Sequence, residues 1–266
     1  MIFYKAILLP QLLKLGGKLM GEKKVICSIE ARMGSSRLPG KVLLPVLGRP
    51  LLSYLIERIK LVKLVDEIVL ATTINSEDDL LESFASKEGI RVYRGSEEDV
   101  MGRVLGAVES ANGEIVVEIT GDCPLIDPEI TDQVIRTYLV NSVDYVSNNN
   151  IRSYPDGMDV QVFSRDALKR SMELTQNPLD REHVTLHIRN HPELFSRINL
   201  VAPQRLNLPS LGLTLDEIAD YDLIKIIIEN LYPRNKLFLC DEVLSYLNSN
   251  PQLLNLNKHV FRKGDA

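Results

Sequence analysis

From residue 24 onward, the sequence alternates short apolar runs rich in β-branched residues with longer stretches whose apolar residues recur at helical spacing. This alternation is typical of βαβ units, in which helices cover both faces of a mainly parallel sheet. The clearest helix follows Pro50, where apolar residues between Leu51 and Ile59 form one stripe. An α/β fold is therefore predicted. The predicted strands are Val25–Glu30, Glu67–Thr72, Arg91–Arg94, Ile115–Thr120 and Tyr145–Ser147.

An inserted β/α segment is predicted at about residues 150–205, where this rhythm changes. Residues 154–157 (Tyr-Pro-Asp-Gly) form a strong turn signal, and a predicted strand at 158–163 and a predicted helix at 165–175 follow it. The alternation of strand and helix patterns then resumes at 211–215. This segment is a predicted strand that would return the chain to the main sheet.

The length of 266 residues suits a single domain over residues 24–266, preceded by an N-terminal extension at residues 1–23. The apolar run at residues 6–10 is far shorter than the roughly 20 residues that cross a bilayer, so no membrane insertion is expected. No good signal-peptide cleavage site follows this run. The extension is therefore interpreted as an accessory helix or as an upstream start, with Met20 as the more natural beginning.

Composition argues against several classes of protein. The net charge of −5 provides no overall basic field, so a nonspecific nucleic-acid binder is not expected. The three cysteines, Cys27, Cys123 and Cys240, are widely separated and form no Cys-x-x-Cys pair, which argues against a disulfide framework and a zinc ribbon. Reduced thiols and a cytoplasmic location are expected.

The most informative segment is the loop from Glu30 to Lys41, which joins the first predicted strand to the first predicted helix. In open α/β sheets, ligands bind beyond the carboxyl ends of the strands. Small residues in this loop let backbone N–H groups approach an anion, and Arg32, Arg37 and Lys41 can surround it. The loop is a candidate polyphosphate site, and a solvated basic loop is the alternative interpretation.

Two familiar phosphate-binding loops are excluded by their spacing. A P-loop has four residues between its glycines and Ser or Thr after its lysine, whereas Gly34 and Gly40 enclose five residues and Val42 follows Lys41. The G-x-G-x-x-G fingerprint of dinucleotide-binding proteins is also missing from this loop. A nicotinamide-dependent dehydrogenase is therefore not expected.

Two motifs resemble those of the cytidylyltransferases that make CMP-activated acidic sugars. They are Arg32–Lys41 (RMGSSRLPGK) and Thr120–Asp127 (TGDCPLID). Residues 154–160 and 180–184 are similar to the branch of spore-coat polysaccharide biosynthesis protein F, which itself resembles CMP-sialate and CMP-Kdo synthetases. The resemblance begins near the first predicted strand and does not include the N-terminal extension.

This resemblance implies a nucleotide-diphospho-sugar transferase fold of the GT-A-like type. It also implies transfer of CMP from CTP to an acidic sugar, Kdo-like or nonulosonic, with release of pyrophosphate for cell-surface polysaccharide biosynthesis. The expected cofactor is Mg²⁺. The expected partners are CTP, the acidic sugar and a second copy of the chain in a homodimer.

Nucleotidyl transfer is an in-line attack at the α-phosphorus, so the protein must mainly position the reactants and neutralise phosphate charge. Catalytic roles are expected for Arg32, Arg37, Lys41 and Asp122. The expected nucleotide-binding residues are Ala31, Gly34, Ser35, Ser36, Arg94 and Arg103.

Asp122 and Asp216 are the expected ligands of Mg²⁺. Hard divalent cations prefer carboxylate oxygens, and Mg²⁺ takes only one or two carboxylates beside phosphate oxygens and water. An aspartate after a strand can instead cap a turn or helix, and Asp127 is interpreted in that way. At Asp216, helix capping is an alternative role, because Glu217-Ile218 follows where the family typically has Thr-Pro.

Sugar binding is expected in the insertion. Arg181 can bind a substrate carboxylate, and Asp156, Asp159 and Gln161 can bind hydroxyl groups. Turn formation is an equally good explanation of Asp156. His183 is expected closest to the substrate, where it could act as general base, or a bound metal could acidify the sugar hydroxyl instead.

Three histidines at a spacing of four, His183, His187 and His191, would form one stripe on a continuous helix. Pro192 follows directly, and no nearby cysteine completes a ligand set. A polar face or a dimer contact is the favoured interpretation, and a transition-metal site is the alternative.

Two other functions stay open on the sequence alone. The first is an NDP-sugar-dependent glycosyltransferase on a related fold, against which the cationic loop argues because a triphosphate needs that charge more. The second is a non-catalytic protein of polysaccharide assembly. This second function stays open because the chain departs from the family pattern at two places. Gly102 stands where relatives of the branch usually carry Asp, and Glu217-Ile218 stands where the family typically has Thr-Pro.

Overall fold

The computed structural model describes residues 23–262, so the predicted N-terminal extension lies outside the described residues except for Lys23. The strands are β1 (Val25–Glu30), β2 (Pro45–Val46), β3 (Arg49–Pro50), β4 (Glu67–Thr73), β5 (Arg91–Gly95), β6 (Ile115–Thr120), β7 (Tyr145–Ser147), β8 (Gln161–Ser164) and β9 (Arg197–Asn199). Seven of them form one sheet in the order β5-β4-β1-β6-β8-β7-β9, and β2 pairs with β3 in a separate hairpin.

The sheet is mainly parallel, as predicted. β1 pairs in parallel with β4 and β6, β4 with β5, and β7 with β9. β8 runs antiparallel to both of its neighbours, β6 and β7. The five strands predicted before the insertion all belong to this sheet.

Helices cover both faces of the sheet, which confirms the predicted fold class. Cys27 and Ile29 of β1 pack in one core cluster with Leu52, whereas Ile26 packs in another with Val104. No helix within residues 23–262 is long and apolar enough to span a bilayer. The helices are α1 (Leu51–Ile59), α2 (Asp79–Glu88), α3 (Val100–Ser110), α4 (Pro128–Val140), α5 (Arg165–Leu174), α6 (Pro178–Glu182), α7 (Leu186–Asn190), α8 (Ile218–Leu231) and α9 (Cys240–Ser249).

The order of the strands creates a crevice at one edge of the sheet. After β1 the chain builds β4 and β5 on one side, and it then crosses to place β6 on the other side. Ligands bind at such a reversal, beyond the carboxyl ends of the strands. The ends of β1, β6, β7 and β9 and the beginning of β8 all lie at this edge because of their directions.

The strand predicted at 158–163 is shorter in the structure and begins at Gln161. The side chain of Asn148 donates to the carbonyl of Met158 at 2.7 Å and accepts from the N–H of Val160 at 2.8 Å. These bonds occupy backbone groups that a strand neighbour would otherwise use, so regular pairing begins later.

The prediction that residues 211–215 return to the main sheet is wrong. The segment forms a single bridge between Asp156 and Gly212, and the N–H of Leu215 donates to the carbonyl of Asp122 at 2.9 Å. It therefore runs along the crevice and connects the insertion to the loop after β6.

The insertion contains elements that the sequence did not predict, namely α6, α7 and β9. Each has only three to five residues, which is too short for a periodic pattern to develop. Two strands of the segment, β8 and β9, belong to the main sheet. The three cysteines are free thiols and all are buried.

Candidate active site

The loop after β1 is closed by its own backbone. Gly40 has a φ of 69°, in the left-handed region that favours glycine, and begins the short 3₁₀ turn Lys41–Leu43. Its N–H donates to the carbonyl of Met33 at 2.9 Å. The N–H of Met33 in turn donates to the carboxylate of Asp78 at 2.7 Å, which anchors the loop to the connection between β4 and α2.

Asp122 follows β6 and is held directly against the end of β1. The N–H of Gly121 donates to the carbonyl of Glu30 at 2.8 Å. A β-carbon on Gly121 would lie 2.8 Å from that of Ala31, so this approach requires glycine. The two motifs singled out in the sequence are therefore in contact.

Lys41 lies between the two predicted metal ligands. Its ammonium nitrogen is 2.7 Å from Oδ2 of Asp122 and 3.4 Å from Oδ1 of Asp216. Arg37 also reaches this group, with Nη2 at 2.7 Å from Oδ1 of Asp216. The structure thus brings together four side chains that the sequence predicted for one site.

Mutual attraction changes the proton affinity of these groups. Burial favours a lower pKa for Lys41, but the carboxylates of Asp122 and Asp216 outweigh it and raise the pKa above its usual value. Burial likewise favours a higher pKa for Asp122, but the neighbouring ammonium of Lys41 holds that pKa below the usual value. At neutral pH Lys41 is therefore an ammonium and Asp122 a charged carboxylate.

Asp216 is positioned by its neighbours and does not cap α8. Glu217 is the N-cap residue, and Asp220 completes the capping box. Oδ2 of Asp220 accepts the N–H groups of Asp216 at 3.0 Å and Glu217 at 2.9 Å. The capping alternative for Asp216 is therefore wrong, and its carboxylate is directed to Lys41 and Arg37. Asp127 is the N-cap of α4, as predicted.

The donor atoms available for a cation in the crevice are two aspartate carboxylates. Within residues 23–262, no group of three or more His, Cys, Asp or Glu side chains could hold a metal ion. Asp122 and Asp216 converge on the same ammonium, so a small cation there would meet two hard oxygen ligands. This is the number of carboxylates that Mg²⁺ usually takes when phosphate oxygens and water complete its shell.

The small residues of the loop differ in their accessibility. The N–H of Ala31 already donates to the carbonyl of Ala71 at 3.3 Å, so this backbone donor is occupied. Gly34 and Ser35 are half-buried and Ser36 is exposed. The N–H of Ser35 also donates, to the carbonyl of Met33 at 2.9 Å, so Ser35 can offer only its hydroxyl group to an anion.

The other predicted arginines have partners outside the Lys41 cluster. Arg32 pairs with Glu97 at 2.7 Å on the exposed side of the loop. Arg94 pairs with Asp79 of α2 at 2.6 Å, and Arg103 is buried and donates to the carbonyl of Ser96. Burial lowers the pKa of Arg103. In this structure Arg94 and Arg103 secure the connections on either side of β5.

A cavity of about 1150 Å³ opens at the same edge of the sheet. It is lined by four predicted sugar-binding residues, Asp156, Asp159, Gln161 and His183, and by Thr120 at the end of β6. Asp156 also belongs to the turn that contains Gly157, where φ is 100° and a β-carbon would lie 2.7 Å from the backbone of Leu213. Asp156 is thus both a turn residue and a residue of the cavity lining, so the two interpretations are compatible.

The cavity contains acidic and basic side chains that the sequence analysis did not identify. Glu30 of β1 and Glu118 of β6 line it, and Arg152, Arg189 and Arg197 line it from the insertion. The two glutamates could have been noticed as acids in otherwise apolar strands that lead to the carboxyl edge. The arginines carry no local signal, because the fold of the insertion brings them together.

Burial strongly affects the acids of the cavity. It raises the pKa of Asp159 to about 7, with a further contribution from the neighbouring carboxylate of Asp156. It also raises the pKa of Glu118 to about 7, although Gln161 donates a hydrogen bond to that side chain. These carboxyl groups titrate near neutral pH.

Asp159→Asn is expected to reduce the pH dependence of stability. A pKa near 7 in the folded state, against about 3.9 in the unfolded chain, means that neutral Asp159 contributes stability at low pH that is lost as the pH rises through 7. Between pH 5 and pH 8 the wild type should lose on the order of 2 kcal/mol relative to the variant.

Urea unfolding of both proteins at the two pH values measures this difference. Asp166→Asn is the control, because the Asp166 side chain is 81% exposed and pairs with the adjacent Arg165. Equal stability changes in wild type and Asp159→Asn would contradict the assignment of a raised pKa to Asp159.

Arg181 is not among the residues that line the cavity. Its Nη2 lies 2.8 Å from Oδ2 of Asp99, the N-cap residue of α3. Asp99 also accepts the N–H of Gly102 at 2.9 Å, and a β-carbon at Gly102 would lie 2.3 Å from its carboxylate. Gly102 thus allows Asp99 to cap α3 and pair with Arg181 at once.

The three histidines do not form one stripe, because the helix on which the stripe depended is interrupted. Val184 has a φ of 34° and separates α6 from α7. His187 and His191 remain neighbours, with ring centroids 4.4 Å apart, and burial lowers the pKa of His187. His183 lies apart from this pair and lines the cavity.

Comparisons with known proteins show which family the chain resembles. A sequence model described as Cytidylyltransferase matches residues 26–236. Spore coat polysaccharide biosynthesis protein SpsF from Bacillus subtilis is 37% identical over 234 residues, which cover 85% of this chain and 95% of that protein. An 8-amino-3,8-dideoxy-manno-octulosonate cytidylyltransferase from Shewanella frigidimarina is 35% identical over 116 residues, 43% of this chain and 47% of that protein.

A solved structure gives the same result over nearly the whole chain. A cytidylyltransferase from Leptospira borgpetersenii serovar Hardjo-bovis superposes with a TM-score of 0.84 at 32% sequence identity, covering 91% of this chain and all of that one. The chain therefore belongs to the cytidylyltransferase family.

Proposed function

We propose that this protein transfers CMP from CTP to an acidic sugar of the Kdo-like or nonulosonic type, with release of pyrophosphate, for cell-surface polysaccharide biosynthesis. The observation that carries the proposal is the position of Lys41 between Asp122 and Asp216 at the carboxyl edge of the sheet. The adjoining cavity of about 1150 Å³ provides room for the nucleoside and the sugar. One crevice can therefore accommodate both reactants.

In this reaction an oxygen of a sugar hydroxyl attacks the α-phosphorus of CTP, and the hydroxyl proton passes to a base, for which His183 in the cavity lining is the candidate. The bond from this phosphorus to the bridging oxygen of the β-phosphate breaks, and pyrophosphate leaves with that oxygen. Lys41 and Arg37 neutralise the phosphates, because both carry N–H donors into the crevice. Each of these two side chains is paired with an aspartate carboxylate in the structure. A phosphate that binds there would therefore replace one anionic partner by another.

Mg²⁺ fits the donor set of the crevice, and Asp122 and Asp216 would hold it. When bound, the ion supplies positive charge to phosphate oxygens as negative charge develops on the leaving group. Lys41 lies against the same two carboxylates, and its positive charge keeps two nearby acidic side chains compatible with the folded state.

Recognition of an acidic sugar is supported by the basic residues of the cavity. Arg152, Arg189 and Arg197 are suitable partners for a substrate carboxylate, and Nε of Arg189 is buried without a hydrogen-bond partner. Asp156 and Asp159 can accept hydrogen bonds from hydroxyl groups. The partial match to a protein named as an octulosonate cytidylyltransferase supports the same class of substrate.

Pyrophosphate release from CTP in the presence of Mg²⁺ and a panel of acidic sugars is the expected activity. CTP with Mg²⁺ at 100 times its Kd should also stabilise the protein by about 2.7 kcal/mol, measured as a rise in melting temperature. UTP and the neutral sugar mannose are the matched controls.

Three results would contradict the proposal. Release of pyrophosphate from UTP but not from CTP would show that CTP is not the nucleotide substrate. Transfer from an NDP-sugar without pyrophosphate release would indicate a glycosyltransferase. Absence of any CTP-dependent stabilisation would indicate a non-catalytic protein.

A further inference from the structure

The segment that follows α9 returns to the crevice. Val260 and Arg262 are buried, at 5% and 7% exposure, whereas Phe261 between them is 64% exposed. Asn257 secures this return, because its amide donates to the carbonyl of Gly212 at 2.9 Å and to Oδ1 of Asp220 at 2.8 Å. This part of the chain lies beyond the residues matched by the family model, which ends at 236.

The guanidinium of Arg262 lies between two carboxylates of the site. Its Nη2 donates to Oδ1 of Asp220 at 2.7 Å, and its Nε is 3.5 Å from Oδ2 of Asp156. It packs on Gly212, where a β-carbon would lie only 1.8 Å from Nη2. Space for this arginine therefore depends on glycine at that position.

Asp220 connects Arg262 to the backbone of the crevice. The residue is fully buried, and its two oxygens have different partners. Oδ1 accepts from Arg262 and Asn257, and Oδ2 accepts the backbone N–H groups of Asp216 and Glu217. The orientation of Asp220 thus fixes the backbone that carries the Asp216 carboxylate.

A second contact of the same segment reaches the phosphate side of the crevice. Nη1 of Arg37 donates to the carbonyl of Phe261 at 2.9 Å, while Nη2 of Arg37 pairs with Asp216 at 2.7 Å. The C-terminal segment therefore supports Asp216 through Asp220 and through Arg37.

We infer that Arg262 is a positioning residue of the active site, which holds Asp216 in place for the cation and Asp156 in place for the sugar. The inference rests on the proposed function, because it assigns Asp216 to the cation. A guanidinium suits this role since its charge is spread over a planar group, so Nη2 donates to Asp220 while Nε lies in an ion pair with Asp156 at 3.5 Å, whereas a lysine ammonium is a point charge.

The test is the part of CTP-induced stabilisation that depends on Mg²⁺. Melting temperatures are measured for the protein alone, with CTP and EDTA, and with CTP and Mg²⁺. In Arg262→Gln the affinity for the Mg²⁺–CTP pair should fall about 10- to 100-fold, as for other residues that orient a metal ligand. Arg262→Lys should recover part of this loss, and Arg234→Gln, the same change at an exposed arginine, should have no effect.

A purely structural role gives a different result. It would lower the melting temperature of the protein alone and leave the increment from Mg²⁺ unchanged, and that outcome would overturn the inference. If Arg262→Gln does not fold, the double variant Asp220→Asn/Arg262→Gln removes both buried charges, and the same weakening of Mg²⁺-dependent CTP binding is expected. A double variant that folds and binds Mg²⁺–CTP like wild type would overturn it as well.

Measurements on the wild-type protein show whether the proposed function itself is wrong. If wild-type protein neither releases pyrophosphate from CTP nor gains stability from CTP and Mg²⁺, the reaction itself is wrong and the inference falls with it. If the wild type does both and Arg262→Gln matches it, only the role of Arg262 is rejected.

Discussion

Asp122→Asn is expected to lower kcat by about a thousand-fold and to leave the fold intact. The carboxamide has nearly the same shape as the carboxylate but lacks the charge that pairs with Lys41 at 2.7 Å and would hold the cation. Lys41 retains Asp216 as a partner at 3.4 Å, so the variant should still fold, with some loss of stability at neutral pH because the pair with Asp122 is gone. Pyrophosphate release at saturating CTP and sugar measures kcat, and circular dichroism monitors the fold.

Asp127→Asn is a matched control in the same loop. Asp127 caps α4 through the N–H of Glu129 at 2.8 Å and accepts the N–H of Cys240 at 2.8 Å. An asparagine cannot accept at both oxygens, so the variant should lose about 1–2 kcal/mol of stability and keep its kcat. Full activity of Asp122→Asn, or an equal loss in Asp127→Asn, would remove Asp122 from the reaction.

Lys41→Met should lower kcat/KM for CTP by about a hundred- to a thousand-fold, because a positioned cation that stabilises developing phosphate charge is lost. It should also destabilise the protein near neutral pH. Asp122, whose pKa is held low by Lys41, contributes stability above its unfolded pKa, and this contribution is lost as the pH falls through the folded value. Without the ammonium this contribution shrinks, so the variant loses stability at neutral pH and much less at pH 3.

Two further variants separate these effects of Lys41. Lys169→Met removes an exposed ion pair with Glu109 at 2.6 Å and should change neither activity nor stability by more than a few tenths of a kcal/mol. The double variant Lys41→Met/Asp122→Asn removes both charges and should be more stable than Lys41→Met while remaining inactive. Urea unfolding at pH 3 and pH 7 gives the stabilities, and a Lys41→Met protein with wild-type kcat/KM would contradict the role of Lys41.

Much of the fold could be predicted because buried strands are continuous apolar runs with clear boundaries. The bounds of β1, β6 and β7 agree with prediction to the residue. The segment 211–215 has the same apolar pattern, but its hydrophobic side chains pack in the core cluster beneath α8 and α9, not in the sheet. An apolar run shows that residues are buried and does not show which neighbour pairs with them.

The centre of the site was predictable for a similar reason. Lys41 and Asp122 each follow a strand, and parallel neighbouring strands end at the same edge, so the two loops had to meet. The partners of Arg181 and Arg262 could not be found in this way. Asp99 is 82 residues from Arg181 in the sequence, and Asp220 is 42 residues from Arg262, and no local pattern encodes either pair.

The three buried cysteines can report local unfolding of the regions in which they lie. Cys27 lies within β1, Cys123 adjoins Asp122, and Cys240 begins α9, so they sample three separate regions. Burial raises the pKa of each thiol, to about 12 for Cys240, and alkylating reagents require the thiolate. Each thiol is therefore labelled only after its surroundings open, and the three labelling rates give the order in which the crevice loop, the C-terminal helix and the sheet come apart.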